Sequence, residues 1–437
     1  MEQTIDDVVI RPTEIEALAN VRAVLQLCAG GKLKCSEKTA RPSAAAVATI
    51  ADALQDGDFY PDEPIAAFAW PLLVQAGGLA RITGGKLALT PKGRKALADE
   101  PENVIRHIWQ RWPRHAPIDE FSRVEQIKGQ RATNVLTSAG PRRVAVVDAL
   151  RHCPDDQWID VDELFGTMRR NGTHFRIARS DRALWRLYLE DPQYGSLGYE
   201  GFGDWPIVEG RYALAVLFEY AATLGLIDVE YSGAAGARDD YHGNWGADWV
   251  EALSRYDGLR FVRLNALGRY VIGREATYRA PAGPRPHPTI EVLANFDLVA
   301  THDLPAADRL TLDAYAARTS DRVWTLSAAS LLAAEDAGRT VDDLATFLAE
   351  RAVHDVPAPV TTLLADVSAR AGQVRDLGMH RVVECADATV ATLLSRDRTV
   401  RSHCTRIGDR HLLLAPGAEV TMRTALRKLG YALGPHT

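Results

Sequence analysis

Residues 65–97 read IAAFAWPLLVQAGGLARITGGKLALTPKGRKAL, and the order of signals along them decides the fold of the first block. The apolar run predicts a helix that stops at Gly77-Gly78. Leu79–Ile82 and Leu87–Leu89 then read as two short strands around Thr83-Gly84-Gly85-Lys86. Gly84 and Gly85 supply the positive φ that a two-residue hairpin turn requires. Thr90 is placed to cap a following helix. The stretch is helix, hairpin, helix.

The same grammar extends in both directions. On the N-terminal side Ile15, Leu18, Ala19, Val21, Val24, Leu25, Leu27 and Cys28 fall at helical spacing, Gly30-Gly31 stops that helix, and Ser43 caps AAAVATIADAL. On the C-terminal side Arg143–Leu150, Val161–Arg170 and Tyr212–Leu224 read as helices and Gly225–Tyr231 as a strand. LRFVRLNALGRYVIG (259–273) reads as a strand running into a helix. GGLARI…LALTPKGRKAL and LGLIDV…VRLNALGRYVI are the same phrase, the second with a long tip over Ser232–Gly246.

Polar Gln126–Arg143 and Pro-rich Arg279–Pro288 punctuate the chain, the latter with four Pro in ten residues. A segment of that kind is a stiff extended linker. The expected domains are therefore 1–130, 140–278 and 289–437. The last block opens with a strand (TIEVLANFDLVA), then helices at Ala306–Thr319, Ala328–Ala337, Val341–Arg351 and Val360–Gly372, with Ser327 and Thr340 as caps and Gly338 and Gly372 as stops. It closes in β-α-β-β-α order over His380–Leu433. The fold class expected is α+β and mainly helical.

Two resemblances follow from these phrases. Helix, hairpin and "LTPKGR" entering a helix resemble a winged helix–turn–helix domain, which implies tandem winged-helix units, the second enlarged. In that fold the helix before the hairpin can lie in a major groove while the hairpin tip reaches phosphates. The last block is similar to the helicase-associated domain on the N-terminal side of XPB-type DNA helicases and of many stand-alone actinobacterial proteins. The matching phrases are IEVLANFDLVA, SDRVWTLSAASLLAAEDAGRTVDDLATFLAERA, PAPVTTLLADVSARAG, VVECADATVATLL and GDRHLLLAPGAEVTMRTALRKLGY. EGRYALAVLFEYAATLGLIDVEY to LGRYVIG is similar to the segment that often precedes it.

Composition narrows the function classes. The 437 residues are 46% hydrophobic and 25% charged, which excludes wholesale disorder and a fibrous repeat. Arg outnumbers Lys 43 to 8, and net charge is −6, so any nucleic-acid surface is a local patch. Between Arg81 and Arg151 fourteen Lys and Arg stand against seven Asp and Glu. That stretch holds Lys86, Lys92, Arg94 and Lys95 beside the first hairpin, then RHIWQRWPRH, where Arg106, Arg111 and Arg114 alternate with Trp109 and Trp112, then Arg142 and Arg143. Arg beside Trp suits phosphate contacts with base stacking, or equally a helix whose Trp pair is core. Arg396, Arg398, Arg401, Arg406 and Arg410, joined by Arg423, Arg427 and Lys428, form a second basic run.

Catalytic signals are sparse. The chain contains no G-x-x-x-x-G-K-[ST], and AGGKLK and TGGKLA lack the loop length and the hydroxyl. The helicase resemblance thus implies the accessory domain without the motor. RDDYHGNW, with Asp239, Asp240, His242 and Asn244, is the one dense polar constellation; it reads as a solvated hairpin tip before a metal or phosphate site. DPQYGSLGYEGFGDW (191–205) could stack bases, but is read as an irregular loop packed on the insertion. Five scattered cysteines read as reduced thiols, and no signal peptide or membrane span is visible, so a cytoplasmic protein is expected. The expected role is a non-catalytic, cofactor-free DNA-binding accessory to a separate helicase or nuclease, its DNA duplex or distorted duplex. The rivals are a protein-interaction subunit, a transcription regulator and, last, a metal-dependent nuclease.

Overall fold

The computed structural model describes residues 8–173, 175–199, 201, 205–281, 289–371, 373–374, 380–415 and 417–434. Most of the Pro-rich segment and the expected stop at Gly372 lie outside them. The chain is α+β and mainly helical, 43% helix against 15% strand. It divides into two compact units, Met1–Ala369 and Arg370–Thr437. The division falls inside the block that the sequence reading keeps whole from residue 289. Among the described residues no helix is long and apolar enough to cross a membrane.

In the first unit β1 (Val9–Arg11) leads into α1 (Glu14–Ala29), α2 (Ala44–Ala51) and α3 (Ala66–Ala76). The hairpin β2 (Ala80–Thr83) and β3 (Lys86–Leu89) follows, then α4 (Pro91–Ala96) and α5 (Pro101–His115). Turn glycines Gly84 and Gly85 have φ of 58° and 72°, and Thr90 accepts from the Gly93 N–H as the α4 cap. Next come α6 (Ala139–Leu150), β4 (Trp158–Asp160), α7 (Val161–Arg170), the short α8 (Asp181–Leu184) and a helical run over 206–222 containing α9 (Arg211–Ala215). β5 (Ile227–Tyr231), β6 (Leu259–Leu264) and α10 (Ala266–Val271) complete the repeat.

The two phrases that match in sequence match atom by atom at their joints. Asn265 accepts from the Gly268 N–H as Thr90 does from Gly93. A Cβ on Gly93 would sit 1.9 Å from the Leu79 carbonyl oxygen, and one on Gly268 would sit 2.0 Å from that of Leu226. Only glycine allows either helix to close this tightly on its own first strand. The hairpins differ in company. β2 and β3 stand as a two-stranded sheet, whereas β5 and β6 are central in the antiparallel order β1-β5-β6-β4. Strand β1 thus reaches from residue 9 to pair with residues 229–231. One apolar core runs from Ala17 to Ile272. The polar stretch near residue 130 therefore does not divide it.

Buried ion pairs lace that core between residues 119 and 257. Arg142 meets Asp119 at 2.5 Å, Arg143 meets Glu120 at 2.7 Å, Arg123 meets Glu219 at 2.9 Å, and Arg211 meets both Asp240 and Asp257 at 2.5 and 3.3 Å. Each of these four guanidinia has its counter-charge, as removal from water demands.

The rest of the first unit is an antiparallel sheet with helices. β7 (Ile290–Val292), β8 (Asp297–Ala300), β9 (Ala317–Ser320) and β10 (Val323–Thr325) run in the order β7-β8-β10-β9. The single strand expected at 289–300 is a hairpin turned at Phe296, and the expected helix to Thr319 ends at Tyr315, where α11 (Ala306–Tyr315) gives way to β9. Helix α11 packs on α1. α12 (Ala328–Asp336), α13 (Val341–Arg351) and α14 (Ala358–Arg370) follow, with capping boxes at Ser327 and Thr340. The second unit is β11 (Val382–Glu384), α15 (Ala388–Arg396), β12 (Cys404–Ile407), β13 (His411–Leu414) and α16 (Glu419–Lys428), the β-α-β-β-α order expected. Its core is Cys385, Ala391, Leu394, Val400, Leu412, Leu414, Met422, Ala425 and Leu426.

Candidate nucleic-acid interface

The first hairpin and the two helices after it carry the exposed cations. Lys86 opens β3 at the turn, and Lys92, Arg94 and Lys95 lie on α4, all four exposed. Arg106, Arg111 and Arg114 lie on α5, the first two half-buried and the third exposed. None of the seven has a carboxylate partner among the described residues, in contrast to the paired arginines of the core. Arg106 stacks 4.7 Å from the Tyr270 ring, and Arg94 lies against Gly338 before α13.

His107 joins α4 to α5. Its Nε2 sits 2.8 Å from the Gly77 carbonyl oxygen, which only accepts, so that nitrogen carries the proton. Nδ1 is then an acceptor, 3.5 Å from Lys92 Nζ. Burial holds the imidazole below its usual range, and the charges of Lys92 and Arg111 push the same way. Neutral His107 thus orients Lys92 without adding charge.

Four expected contact residues lie elsewhere. Trp109 and Trp112 are buried and stacked on each other, centroids 5.4 Å apart at 9°, and Trp112 meets Tyr220 at 4.9 Å. With Val104, Ile105 and Ile108 they form the inward stripe of α5. Arg142 and Arg143 are buried in the ion pairs described above, and Arg143 also donates to the Pro113 and Ile118 carbonyls. These four are core residues. The groove-reading expectation is corrected as well. Helix α3 is buried except for the half-buried Phe68 and Gln75, and the run over 206–222 is buried along almost its whole length. Neither helix before a hairpin has a free face to lay in a groove.

In the second unit Arg396 ends α15, and Arg398 and Arg401 follow it, all exposed and without a carboxylate ion pair among the described residues. Asp397 lies among them, its carboxylate held below its usual range by hydrogen bonds from Thr399 and the following backbone. Arg406, Arg410 and Arg423 are neutralised by Asp409, Glu384 and Glu419.

The polar tip at 238–244 is tied down rather than open for a metal. Asp240 is bidentate to Arg211, and Arg238 pairs with Asp162 at 2.9 Å. Among the described residues no group of three or more His, Cys, Asp or Glu is placed to hold a metal ion. All five cysteines are free thiols.

The glycine-rich loop at 191–205 departs from the packed reading. Trp205 is buried against Phe165 and Phe175, but Tyr194 and Tyr199 are exposed. Glu200 and Phe202–Asp204 lie outside the described residues. Trp185, Trp245 and Trp249, which the sequence reading passes over, are exposed too. Spacing gives no signal for them: Trp185 falls at alternate positions with Ala183, Leu187 and Leu189, all three buried.

Residues 292–407 match the family described as the helicase conserved C-terminal domain. No curated protein matches the chain.

Proposed function

We propose that the protein is a non-catalytic DNA-binding accessory factor of a helicase- or nuclease-type DNA-processing system. What supports this is the sorting of its cations: Arg123, Arg142, Arg143 and Arg211 inside the core have carboxylate partners, while Lys86, Lys92, Arg94, Lys95, Arg106, Arg111 and Arg114 have none among the described residues. Such unneutralised charge suits phosphates. The repeated helix–hairpin–helix units keep the order of a winged helix. With α3 buried, however, the hairpin tip and the outer faces of α4 and α5 meet the DNA. Affinity is then electrostatic and largely independent of sequence, for duplex or distorted duplex. The similarity over 292–407 supports a setting beside a motor, which a separate helicase or nuclease supplies.

The test is fluorescence anisotropy with labelled duplex at two salt concentrations. Wild type binds, and weakens steeply as salt rises. The Lys86/Lys92/Lys95→Ala triple variant binds more weakly and with a shallower salt slope, by about 0.9 for each phosphate that is no longer neutralised. Equal binding by both proteins, or none at low salt, defeats the proposal and favours a protein-interaction subunit.

A further inference from the structure

Of the nine tryptophans, the three exposed ones all lie in two neighbouring loops of the first unit. Trp185 is 47% exposed, Trp245 59% and Trp249 92%, with Tyr194 and Tyr199 at 52% and 56%. Burying an aromatic ring is strongly favourable, so five rings left in water mark a surface kept for a ligand.

Four of the rings form one connected patch, and Trp249 stands four residues beyond Trp245 on the same loop. Trp185 meets Tyr199 edge to face at 4.7 Å, the Tyr199 hydroxyl donates to the Gln193 carbonyl at 3.0 Å, and the adjacent Tyr194 meets Trp245 at 5.3 Å. The scaffold beneath is built. Trp185 lies on Gly198, where a Cβ would come within 2.4 Å of the indole. Gly195 presses as closely on the Leu189 carbonyl, and bridges tie Tyr188 to both Lys128 and Ser196. Asp191 is spent on the N–H groups of Gln193 and Tyr194. Trp185, Tyr194 and Tyr199 are therefore held before anything binds.

Charge identifies the occupant. Arg182 stands three residues before Trp185 on the α8 turn, and neither it nor Arg131 has a carboxylate ion pair among the described residues. Arg179 and Arg186 donate to the backbone carbonyls of Leu136 and Thr133, which leaves their positive charge in place. Segments 128–137 and 176–199 carry six Lys and Arg against three Asp and Glu. Flat rings set among unneutralised guanidinia take stacked bases and their phosphates.

We infer that Trp185, Tyr199, Trp245 and Trp249 form a stacking platform for unpaired nucleotides, on a face built separately from the cationic hairpin. The inference rests on the DNA-binding reading only in that both need a nucleic-acid ligand. It makes the protein a binder of junctions between duplex and single strand.

The experiment measures binding of a labelled oligo(dT) strand, a blunt duplex and a forked duplex to the full chain, with intrinsic tryptophan fluorescence as a second readout. Oligo(dT) should quench the exposed tryptophans. Trp249→Ala and the Trp185→Ala/Tyr199→Ala pair should each weaken oligo(dT) and fork binding by about 5- to 100-fold for each base no longer stacked, leaving blunt-duplex binding unchanged. Trp249→Ala is the control against misfolding, because its ring touches almost nothing. Duplex binding without oligo(dT) binding overturns the platform and leaves the hairpin reading standing. Ring-dependent oligo(dT) binding without duplex binding does the reverse. Oligo(dT) binding that ignores all three rings overturns the platform outright, as does a protein partner whose capture depends on the same rings while oligo(dT) does not bind.

Discussion

Two tryptophan-bearing stretches of this chain meet opposite fates. In α5, Trp109 and Trp112 alternate with arginines in a pattern that reads as base stacking, yet both are buried on an apolar stripe. In the loops at 185–249, Tyr194 and Tyr199 lie in a stretch that reads as packing and Trp185, Trp245 and Trp249 carry no reading, yet all five face solvent. The difference lies in the neighbours. Residues 104, 105, 108, 109 and 112 are all apolar and all on one side of a helix, so the indoles complete a stripe that must be buried somewhere. Trp249 belongs to no stripe.

That contrast sets the largest expected effect. Trp112→Ala removes a ring enclosed on every side and stacked on Trp109 and Tyr220, and should cost about 3–5 kcal/mol in urea denaturation. Trp249→Ala should change stability by less than about 0.5 kcal/mol. A comparable loss from both would erase the distinction between core and platform.

The arginines divide the same way. Arg143→Ala leaves Glu120 buried with only the Tyr212 hydroxyl, and should cost about 3–4 kcal/mol, whereas Lys86→Ala should be silent in the same assay. If Arg143→Ala unfolds no more easily than wild type, the guanidinium is not a core element and belongs with the contact surface again.

Legibility followed the range of the causes. The hairpin at 80–89, its caps and the close glycines are set by neighbours within about fifteen residues, and sequence spacing locates them to within a residue or two. The β-α-β-β-α order of the second unit is legible for the same reason. The pairing of β1 with β5 was not, because its partners lie some 220 residues apart. Nor was the burial of Arg142 and Arg143. Asp119 and Glu120 stand twenty-three residues before them, and charge alone does not separate a paired guanidinium from a free one. The buried α3 was misread because a winged-helix order describes connectivity and says nothing of which face other segments cover.

A buried acid with no ion pair among the described residues sharpens the rule. Glu209 is buried and accepts from the Ile177 N–H, and burial pushes its carboxyl up to about 7. An unfolded chain ionises it near 4.5. Between those values the native state keeps a proton that the unfolded chain has lost, so stability from this group falls as pH rises from about 4.5 to 7 and is flat above. The span corresponds to about 3 kcal/mol. Glu209→Gln should match wild type near pH 4.5 and exceed it by about 2–3 kcal/mol at pH 8, read from thermal or urea unfolding at each pH. A constant difference across that range would mean the carboxylate is solvated in the fold.

The smallest effect tests whether the two helix–hairpin–helix units are one device used twice. Thr90 and Asn265 cap equivalent helices through the same bond to a glycine N–H. Thr90 adds only its hydroxyl donation to the Gly78 and Leu79 carbonyls at the edge of an exposed hairpin, so Thr90→Ala should cost about 1 kcal/mol. Asn265 is buried and its amide also donates to the Gly225 carbonyl and Asp228, so Asn265→Ala strands the Gly225 carbonyl, leaves Asp228 to Thr13 and Arg263, and should cost about 2 kcal/mol. The ratio carries the argument. Equal losses would mean that the cap alone sets the cost and that the four-stranded sheet around the second hairpin adds nothing to it. A larger loss at Asn265 means that the first unit remained a local motif free to face a ligand, while the second was absorbed into the core that holds the aromatic loops in place.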